Sequence, residues 1–272
     1  MRMEFDQIAR NGMVLLGCGK MGSAMLAGWL ARGVPAKSVH IIDPNPSDWV
    51  RNTGAHLNGE LPAAPAVAIL AVKPQMMGDA LPGLQALGNG TTLFISIAAG
   101  TSLARFSQAL GHDTPIIRAM PNTPAAVGCG ITALIGNDKV SQAHLELAEG
   151  LLAAVGSTVR LEDESQMDAV TALSGSGPAY VFHMIEAMAQ AGTDAGLAPD
   201  LAMQLARATV IGAGQLAAGA DETAEQLRIN VTSPKGTTAA ALEVLMDADT
   251  GLSPLMARAV AAAAARSREL AQ

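Results

Sequence analysis

The sequence is poor in cysteine, in aromatic residues and in histidine clusters. Only Cys18 and Cys129 occur among its 272 residues, so no disulfide framework is implied and a reducing compartment fits. Aromatic residues make up 3% of the chain, and the five histidines are scattered without the spacing of metal ligands. These absences exclude a disulfide scaffold and favour a protein without a metal centre.

The charge balance and the apolar runs argue against a basic partner-binding face, a signal peptide and a membrane span. A net charge of −7 argues against nucleic acid or an anionic membrane as a partner. The N-terminal segment MRMEFDQIARNG has no apolar core of the signal-peptide kind. The longest apolar stretches, at residues 63–72 and 259–265, are too short to cross a bilayer. We therefore expect a soluble, cytoplasmic globular protein.

Short apolar runs alternate with segments of helical period over the first part of the chain. Strands are expected at residues 13–16, 39–42, 67–72, 92–97, 116–119, 131–135 and 158–161. Helices are expected between them at residues 21–32, 75–87, 103–110 and 141–154. This alternation predicts an α/β domain with a parallel sheet and right-handed crossovers.

From residue 164 onward the strands stop. Helices are expected at residues 164–173, 178–195, 199–218, 223–230, 234–247 and 253–270. The sequence thus predicts an α/β domain at residues 1–163 and an all-helical domain at residues 164–272. Because these helices are rich in Ala and Gly, each has little to bury alone, and an intertwined homodimer is our hypothesis for how they are covered.

The segment GCGKMG, residues 17–22, follows an apolar strand and opens a helix. In a dinucleotide-binding turn, Gly17 permits the tight turn, Gly19 the approach of a pyrophosphate, and Gly22 the helix–strand packing. The N–H groups at the start of the helix would then face the phosphates. The pattern predicts a dinucleotide site, with a purely structural glycine-rich turn as the alternative.

Asp43 ends the second predicted strand, and two interpretations of it are open. An acid at this position bonds the adenosine ribose hydroxyls and favours NAD. An NADP site would rather show Arg, Ser or Thr, and the local sequence DPNPSDW offers only Asn45 and Ser47. Alternatively, Asp43 is a turn residue before proline. The residues alone leave the choice between NADPH and NADH open.

Three further segments end strands at the same predicted edge of the sheet: AVKPQ (71–75), SIAAG (96–100) and RAMPNTPA (118–125). Ligands bind outside the carboxyl ends of parallel strands, which places Lys73 in the ligand crevice. A single lysine is equally a solvated loop charge. Small residues and prolines in these segments would let a flat ring lie against rigid backbone.

The segment VTSPKGTT, residues 231–238, has the residues of a helix start and no strong acid. Ser233 is expected as the N-cap and Pro234 as the first helical residue. A first turn there would expose an anion-binding row of N–H groups, those of Lys235, Gly236, Thr237 and Thr238. A capped structural helix is the alternative.

Taken in order, GCGKMG, AVKPQ, SIAAG, MPNTPA, TALSGSGPAYVF (171–182) and VTSPKGTT resemble the pyrroline-5-carboxylate reductase family. The likeness covers nearly all of residues 12–270, and the last two segments are specific to that family. The resemblance implies reduction of 1-pyrroline-5-carboxylate to L-proline with NAD(P)H, the last step of proline biosynthesis. It also implies a Rossmann-type domain followed by a helical dimerisation domain that interlocks with a second subunit, often within larger rings of dimers.

The resemblance further implies which residues bind. The cofactor would be NADPH, with NADH as the alternative. Its contacts would be Leu16, Gly17, Cys18, Gly19, Lys20, Met21, Gly22, Asp43, Pro44, Asn45, Pro46, Asn58, Ala71, Val72, Lys73, Pro74, Ala98, Ala99 and Gly100, with Met120, Pro121 and Asn122 beside the nicotinamide. Residues 174–178 would form a loop over the reacting ring, with Ser174, Gly175, Ser176 and Gly177 as substrate contacts. Glu164 and Asn230 would border the substrate, and Ser233, Gly236, Thr237 and Thr238 would bind it.

The implied mechanism needs no strong acid. A cyclic imine takes its proton from solvent and is reduced as the iminium, so the enzyme mainly aligns hydride donor and acceptor. The substrate carboxylate would bind the turn at residues 233–238, and Thr238 would orient the ring nitrogen. The family turn usually reads TSPGGTT. Lys235 replaces its first glycine here, which either adds a cation beside the carboxylate or points to water.

Other functions fit parts of this pattern. A β-hydroxyacid dehydrogenase also joins a Rossmann domain to helices, but its chemistry needs a Lys or His to move the hydroxyl proton. No lysine lies between Lys139 and Lys235, and His183 is more simply a histidine on a helix face. A reductase acting on a carbonyl of another small acid is the runner-up. A non-catalytic dinucleotide sensor would need neither SGSGPAY nor TSPKGTT, and an interaction-only helical protein would leave the strand-end segments unexplained.

Overall fold

A computed structural model of the protein describes residues 5–270. The chain forms two compact units: the first runs up to Gly175 and takes in the chain again from Ala264, and the second is Ser176–Ala263. Within the described range, no helix combines the length and the apolar character needed to cross a bilayer.

The first unit is built on one eight-stranded sheet. Its strands are β1 (Met13–Leu16), β2 (Val39–Ile42), β3 (His56–Leu57), β4 (Val67–Leu70), β5 (Leu93–Ser96), β6 (Ile116–Met120), β7 (Gly130–Gly136) and β8 (Gly156–Arg160). The order across the sheet is β3-β2-β1-β4-β5-β6-β7-β8, and every neighbouring pair is parallel except β6 with β7. The predicted α/β class with a mostly parallel sheet is confirmed.

Two apolar cores lie against this sheet, and successive residues of a strand belong to one core and the other in turn. In β1, Met13 and Leu15 belong to one core, whereas Val14 and Leu16 belong to the other. This follows from the period of two in a strand, and it explains why strands covered on both faces are continuous apolar runs. The helices of this unit are α1 (Asp6–Asn11), α2 (Lys20–Ala31), α3 (Asp48–Arg51), α4 (Met77–Ala80), α5 (Leu103–Leu110), α6 (Gln142–Leu152) and α7 (Met167–Val170).

Helix α2 is anchored in the first core by Trp29, which is fully buried and donates from Nε1 to the carbonyl oxygen of Leu151 at 2.9 Å. At the position directly before Trp29, a side chain on Gly28 would place its Cβ 2.7 Å from the carbonyl oxygen of Ala154. Close packing of α2 therefore holds the glycine-rich turn that precedes it in a defined position.

Several local elements differ from the prediction. Residues 75–87 do not form one helix: 3-10 turns at Pro74–Met76 and Leu81–Leu87 flank α4. Pro82 lacks a backbone N–H, and Gly78 and Gly83 lower helix propensity, which accounts for the interruption. Strand β7 is antiparallel to β6 because the connection, a 3-10 turn at Thr123–Val127, is too short for a crossover. The short elements α1, α3 and β3 were not predicted.

The second unit contains α8 (Gly177–Asp194), α9 (Pro199–Gly219), α10 (Ala224–Asn230), α11 (Thr237–Leu245) and most of α12 (Leu252–Leu270). The all-helical prediction for this part of the chain is confirmed. Helices α8 and α9 pack closely, because a Cβ on Gly192 would lie 3.2 Å from the Cβ of Ala202.

Small residues form the packing surface between α8 and α9, and several larger apolar side chains of the second unit are exposed to solvent. The buried residues of α8 and α9 are alanines, whereas Phe182 is 61% exposed and Leu216 57% exposed. Val244 of α11 is 72% exposed. The helices therefore present an apolar surface that a single chain does not cover.

Candidate active site

The predicted cofactor segments meet at one edge of the sheet. Strand β1 lies between β2 and β4, so the order of strands along the chain reverses at this point. Such a switch point opens a crevice at the carboxyl ends of the strands, where ligands bind in this class of fold. Two backbone hydrogen bonds join the loops there: Gly17 N–H donates to Ile42 at 2.8 Å, and Ala71 N–H donates to Leu16 at 2.7 Å.

The three glycines of the segment at residues 17–22 meet different surroundings. Gly17 has a φ of +86°, and a Cβ there would lie 2.9 Å from the backbone of Ala71. A Cβ on Gly22 would lie 2.6 Å from the carbonyl oxygen of Gly17. Gly19, the N-cap of α2, would meet nothing within 4 Å. Packing thus requires Gly17 and Gly22, whereas Gly19 leaves open space at the start of a helix.

Asp43 braces this glycine-rich turn. Its Oδ2 accepts the backbone N–H of Cys18 at 2.7 Å, and its Oδ1 accepts the N–H of Asn45 at 2.8 Å. The bond to Asn45 closes a local turn in which the aspartate side chain accepts from the residue two positions later. This is the structural role of Asp43 that the sequence left open as an alternative. Both carboxylate oxygens are therefore already engaged by backbone donors.

Asn58 holds Asp43 from the neighbouring strand. Its Oδ1 accepts the N–H of Asp43 at 2.9 Å, and its Nδ2 donates to the carbonyl oxygen of Asp43 at 2.8 Å. Asn58 itself has a φ of +52°, a conformation that asparagine tolerates better than most residues. Of the neighbouring prolines, Pro44 is exposed and Pro46 is buried. The amide of Asn58 is thus used to fix the end of β2.

The thiol of Cys18 is buried behind the turn. Burial raises the pKa of Cys18, the hydrogen bond between its thiol and Ser23 opposes this effect, and the nearby Asp43 carboxylate adds to it. Ser23 Oγ lies 3.6 Å from the sulfur and donates to the carbonyl oxygen of Cys18 at 2.8 Å. The thiol therefore stays protonated at neutral pH and packs as an apolar group. Ser23 was missed by the sequence reasoning, although its position in the first turn of α2 was a usable signal.

Two lysines lie at the crevice edge. Lys20 begins α2 and Lys73 follows β4, and both are exposed. Neither forms an ion pair among residues 5–270. The other strand-end residues are less accessible, with Ala71 and Val72 half-buried and with Ala98 and Gly100 buried. Free positive charge at an open crevice suits an anionic ligand.

Asn122 connects the segment after β6 to the glycine-rich segment at residues 174–177. Its Oδ1 accepts the N–H of Ile131 at 3.0 Å, and its Nδ2 donates to Ser174 Oγ at 3.3 Å. A Cβ on Gly175 would lie 2.5 Å from Cε of Met120, so the two segments are in close contact. The structure thus brings together residues that the prediction placed beside the nicotinamide and over the reacting ring.

The prediction of a loop at residues 174–178 is wrong. Residues Thr171–Gly175 form a π-helical turn, and α8 begins at Gly177. The glycines and serines are therefore presented by a wide helical turn. Such π-turns within helices are frequent at functional sites.

Glu164, predicted at the substrate border, forms an ion pair and a backbone hydrogen bond within the protein. Its Oε1 accepts from Arg118 Nη1 at 2.7 Å and from the N–H of Leu103, the first residue of α5, at 2.9 Å. The Arg118 side chain is 7% exposed and that of Glu164 is 29% exposed. Arg118 was missed by the sequence reasoning. An arginine inside the apolar strand IIRAM was the signal, because a buried guanidinium requires a carboxylate.

In the second unit, the helix expected to start at Pro234 starts at Thr237. Gly236, not Ser233, is the N-cap, because Gly236 N–H donates to Ser233 O at 3.0 Å and closes a turn. Lys235 has a φ of +59°, which no α-helical residue adopts, and its side chain is exposed. The free N–H groups of the first turn are therefore those of Thr237, Thr238 and Ala239.

The polar residues around this turn differ in accessibility. Thr237 is exposed and Thr238 is half-buried. Ser233 Oγ lies against the position that a Cβ of Gly236 would occupy, so a glycine keeps that hydroxyl beside the helix start. Asn230 ends α10, is exposed, and accepts from Gln226 Nε2 at 2.8 Å. A hydroxyl and free N–H groups thus converge at the N-terminus of α11.

The fold and the crevice define a class: a Rossmann-type dinucleotide-binding protein with a C-terminal helical region. Two family profiles match the chain. Residues 13–100 match the family described as NADP oxidoreductase, coenzyme F420-dependent, and residues 164–270 match the pyrroline-5-carboxylate reductase dimerisation family.

Whole-chain relatives identify the family. Over 266 residues the chain is 39% identical to the pyrroline-5-carboxylate reductase of Pseudomonas aeruginosa, with 96% of this chain and 97% of that protein covered. The solved pyrroline-5-carboxylate reductase of Coxiella burnetii superposes with a TM-score of 0.90 at 33% identity, covering 96% of this chain and 99% of that one. The Plasmodium falciparum enzyme with NADP bound has a TM-score of 0.81 at 27% identity, covering 97% and 99%. The protein belongs to the pyrroline-5-carboxylate reductase family.

Proposed function

We propose that the protein reduces 1-pyrroline-5-carboxylate to L-proline by hydride transfer from NADPH, the last step of proline biosynthesis. Similarity over nearly the whole chain to reductases of this name supports the proposal. The structural observation that carries it is the hydrogen bond between Asn122 and Ser174. The bond joins Asn122, predicted beside the nicotinamide, to Ser174, predicted over the reacting ring. A hydride transfer needs cofactor and imine to lie close together, and these two residues are neighbours.

The cofactor would lie in the crevice, with its pyrophosphate on the start of α2. Gly19 leaves room there for close approach, and Lys20 and Lys73 supply positive charge. We expect NADPH to be preferred over NADH, because the Asp43 carboxylate is directed onto the N–H groups of Cys18 and Asn45. An acid so engaged is a weaker ribose ligand than a free one, and the Plasmodium falciparum relative holds NADP.

The substrate carboxylate would bind the free N–H groups at the start of α11, with Ser233 Oγ beside them. The positive end of a helix favours an anion, and each charge-assisted bond contributes about 1.5–3 kcal/mol. The Thr238 hydroxyl would orient the ring nitrogen. The reaction then depends on alignment rather than on a protein acid, since the imine is protonated by solvent.

Residues 164–272 would form the dimerisation and substrate-binding domain and residues 1–163 the cofactor domain. The match of residues 164–270 to a dimerisation family and the exposed Phe182, Leu216 and Val244 support a homo-oligomer. An intertwined homodimer is the form we propose, with sedimentation velocity as its test. A cytoplasmic location remains a prediction that cell fractionation would check.

His183 does not support the alternative function of a β-hydroxyacid dehydrogenase. This residue is exposed on α8, and its Nδ1 lies 3.1 Å from Glu186 Oε2 one helical turn along. A histidine engaged on the outside of a helix is a surface group. We therefore put forward a single function.

The first test measures initial rates of cofactor oxidation with 1-pyrroline-5-carboxylate, with NADPH and NADH compared side by side. Turnover with higher kcat/KM for NADPH is expected. A preference for NADH would assign Asp43 the ribose role. The absence of turnover with both cofactors would refute the proposed activity.

A further inference from the structure

A second cleft lies at the opposite edge of the sheet, near the amino ends of β1, β2 and β3. We call it the amino-end cleft. It has a volume of about 690 Å³ and is formed by the end of α1, the turn before β2, strands β2 and β3, and the loop after β3. None of the residues assigned to cofactor or substrate lines it. Its charged and aromatic lining residues are Arg10, Lys37, His40, His56 and Glu60.

The lining is basic in a protein whose net charge is −7. Arg10 and Lys37 are exposed and approach from two different elements, α1 and the turn before β2. Neither forms an ion pair within residues 5–270. Glu60 is the single acid of the lining, so the cleft carries excess positive charge even when both histidines are neutral.

The two histidines form a pair inside this cleft. The rings of His40 and His56, on neighbouring strands, stack with centroids 4.5 Å apart and planes 22° from parallel. His40 Nδ1 lies 3.1 Å from the carbonyl oxygen of Glu60. Because a carbonyl oxygen can only accept a hydrogen bond, Nδ1 of the neutral His40 ring carries the proton. Protonation to the charged form therefore takes place at Nε2.

The surroundings of His40 disfavour its charged form until an anion arrives. Burial lowers the pKa of His40, the Glu60 carbonyl opposes this, and His56 lowers it further. Arg10 from α1 and Lys37 from the preceding turn also line the cleft and add positive charge. A bound dianion would offset this repulsion. Binding would therefore be coupled to proton uptake by His40.

We propose that the amino-end cleft is a binding site for a small organic phosphate, held by Arg10 and Lys37 together with His40, whose ring stacks on that of His56. The volume lies within the range of about 300–1,000 Å³ typical of small-molecule sites. A guanidinium donates a planar fork to phosphate oxygens, and an ammonium adds a point charge beside it. The site is separate from the cofactor crevice and independent of the proposed reaction.

The experiment is isothermal titration calorimetry of the full chain saturated with NADP⁺, so that the cofactor crevice is filled. Sulfate is the first probe because it carries the same charge at pH 6 and pH 8, and glycerol 2-phosphate is the second. One site per chain is expected for each. Sulfate affinity should fall about tenfold from pH 6 to pH 8, because binding takes up a proton that is scarce at the higher pH.

The decisive variant is R10Q/K37Q, which should weaken both anions at least tenfold. Its matched control is R105Q/R268Q, which removes the same charge from exposed positions outside the cleft and should change affinity less than twofold. The variant H40Q should bind sulfate with reduced dependence on pH. Arg10 and Lys37 are exposed, and circular dichroism of every variant, with the single variants R10Q and K37Q included, verifies folding.

Three results would overturn the proposal. The first is unchanged binding in R10Q/K37Q, and the second is an equal loss in the charge-matched control, which would indicate general attraction instead of a site. The third is tighter binding of acetate or citrate than of glycerol 2-phosphate, which would make the ligand a carboxylate. Because binding is measured instead of turnover, failure of the proposed reductase activity would not affect the outcome.

Discussion

Arg118 and Glu164 form an ion pair of 2.7 Å that connects the middle of the sheet to the start of the segment leading into α8. The other end of that segment is joined to β6 as well, through the 3.3 Å hydrogen bond between Asn122 and Ser174. Arg118 in β6 and Asn122 just after this strand thus bind the two ends of residues 164–174. We interpret Glu164 as a positioning residue that keeps Ser174 and Gly175 against the end of β6.

Glu164→Gln should destabilise the protein by about 2–3 kcal/mol, because Arg118 would be left buried without a countercharge. The value lies below that of a fully buried pair because Glu164 is 29% exposed. Urea unfolding measures it, with Glu162→Gln at an exposed neighbouring position as the control, expected within about 0.5 kcal/mol of wild type. If the Glu164→Gln variant has wild-type stability and a raised KM for the substrate, Glu164 is a substrate contact and not a positioning residue.

Thr238→Ala should lower kcat/KM for the imine about 10- to 100-fold, the loss expected for one hydrogen bond to a charged group. The dissociation constant of NADPH should not change, because the crevice residues are untouched. Thr238→Ser keeps the hydroxyl and should recover most of the rate. Steady-state kinetics and cofactor fluorescence titration measure the two quantities. Equal activity of the alanine and serine variants would remove Thr238 from the mechanism.

Asp43→Ala should raise KM for NADPH and NADH by the same factor of about ten, because it frees the Cys18 N–H and loosens the turn that both cofactors would use. Asp48→Ala removes the same charge from an exposed position on α3 and should have little effect. A loss confined to NADH would show that Asp43 binds the ribose directly.

Lys235→Gly should stabilise the folded state by about 0.5–1 kcal/mol. Lys235 has a φ of +59°, where a side chain costs about 1–2 kcal/mol and where the entropic cost of glycine offsets part of the gain. Lys235→Ala removes the charge but keeps the strain, and should show no such gain. Thermal unfolding compares the variants. If both substitutions raise substrate KM alike, the lysine charge contributes to carboxylate binding.

Arg160→Gln should make the protein less stable at neutral pH but not in acid. A hydrogen bond from Arg160, at 2.6 Å, holds the pKa of Glu149 below its ordinary value, while burial opposes the shift and the charge of Arg160 adds to it. A depressed acid pKa stabilises the folded state above the ordinary pKa and ceases to do so as pH falls through the lowered value.

The difference in stability between wild type and Arg160→Gln should therefore be full at pH 7 and shrink as the pH falls below the ordinary pKa of Glu149 and through its lowered value. Thermal midpoints at pH 7, 5 and 3 follow it, with Arg105→Gln as a control that forms no ion pair within residues 5–270. A difference that stays constant with pH would assign the effect to packing of the guanidinium instead of its charge.

Much of the fold could be predicted because its signals are local. The alternation of apolar strands and helical segments predicts the α/β sheet, and the glycines of residues 17–22 predict a tight turn before a helix. Local signals fail where one residue breaks a pattern. Lys235 in a left-handed conformation delays α11 to Thr237, and Pro82 with its neighbouring glycines interrupts the helix expected at residues 75–87.

The sequence by itself determined the family, the α/β class and the chemistry available at each strand end, because periodicity and turn residues act between near neighbours. Only the tertiary structure decided which distant side chains meet: Asp43 with Cys18, Arg118 with Glu164, and Asn122 with Ser174. It likewise stacked His40 on His56. Such pairings depend on strand order and on distance through space, and spacing along the chain carries no information about either.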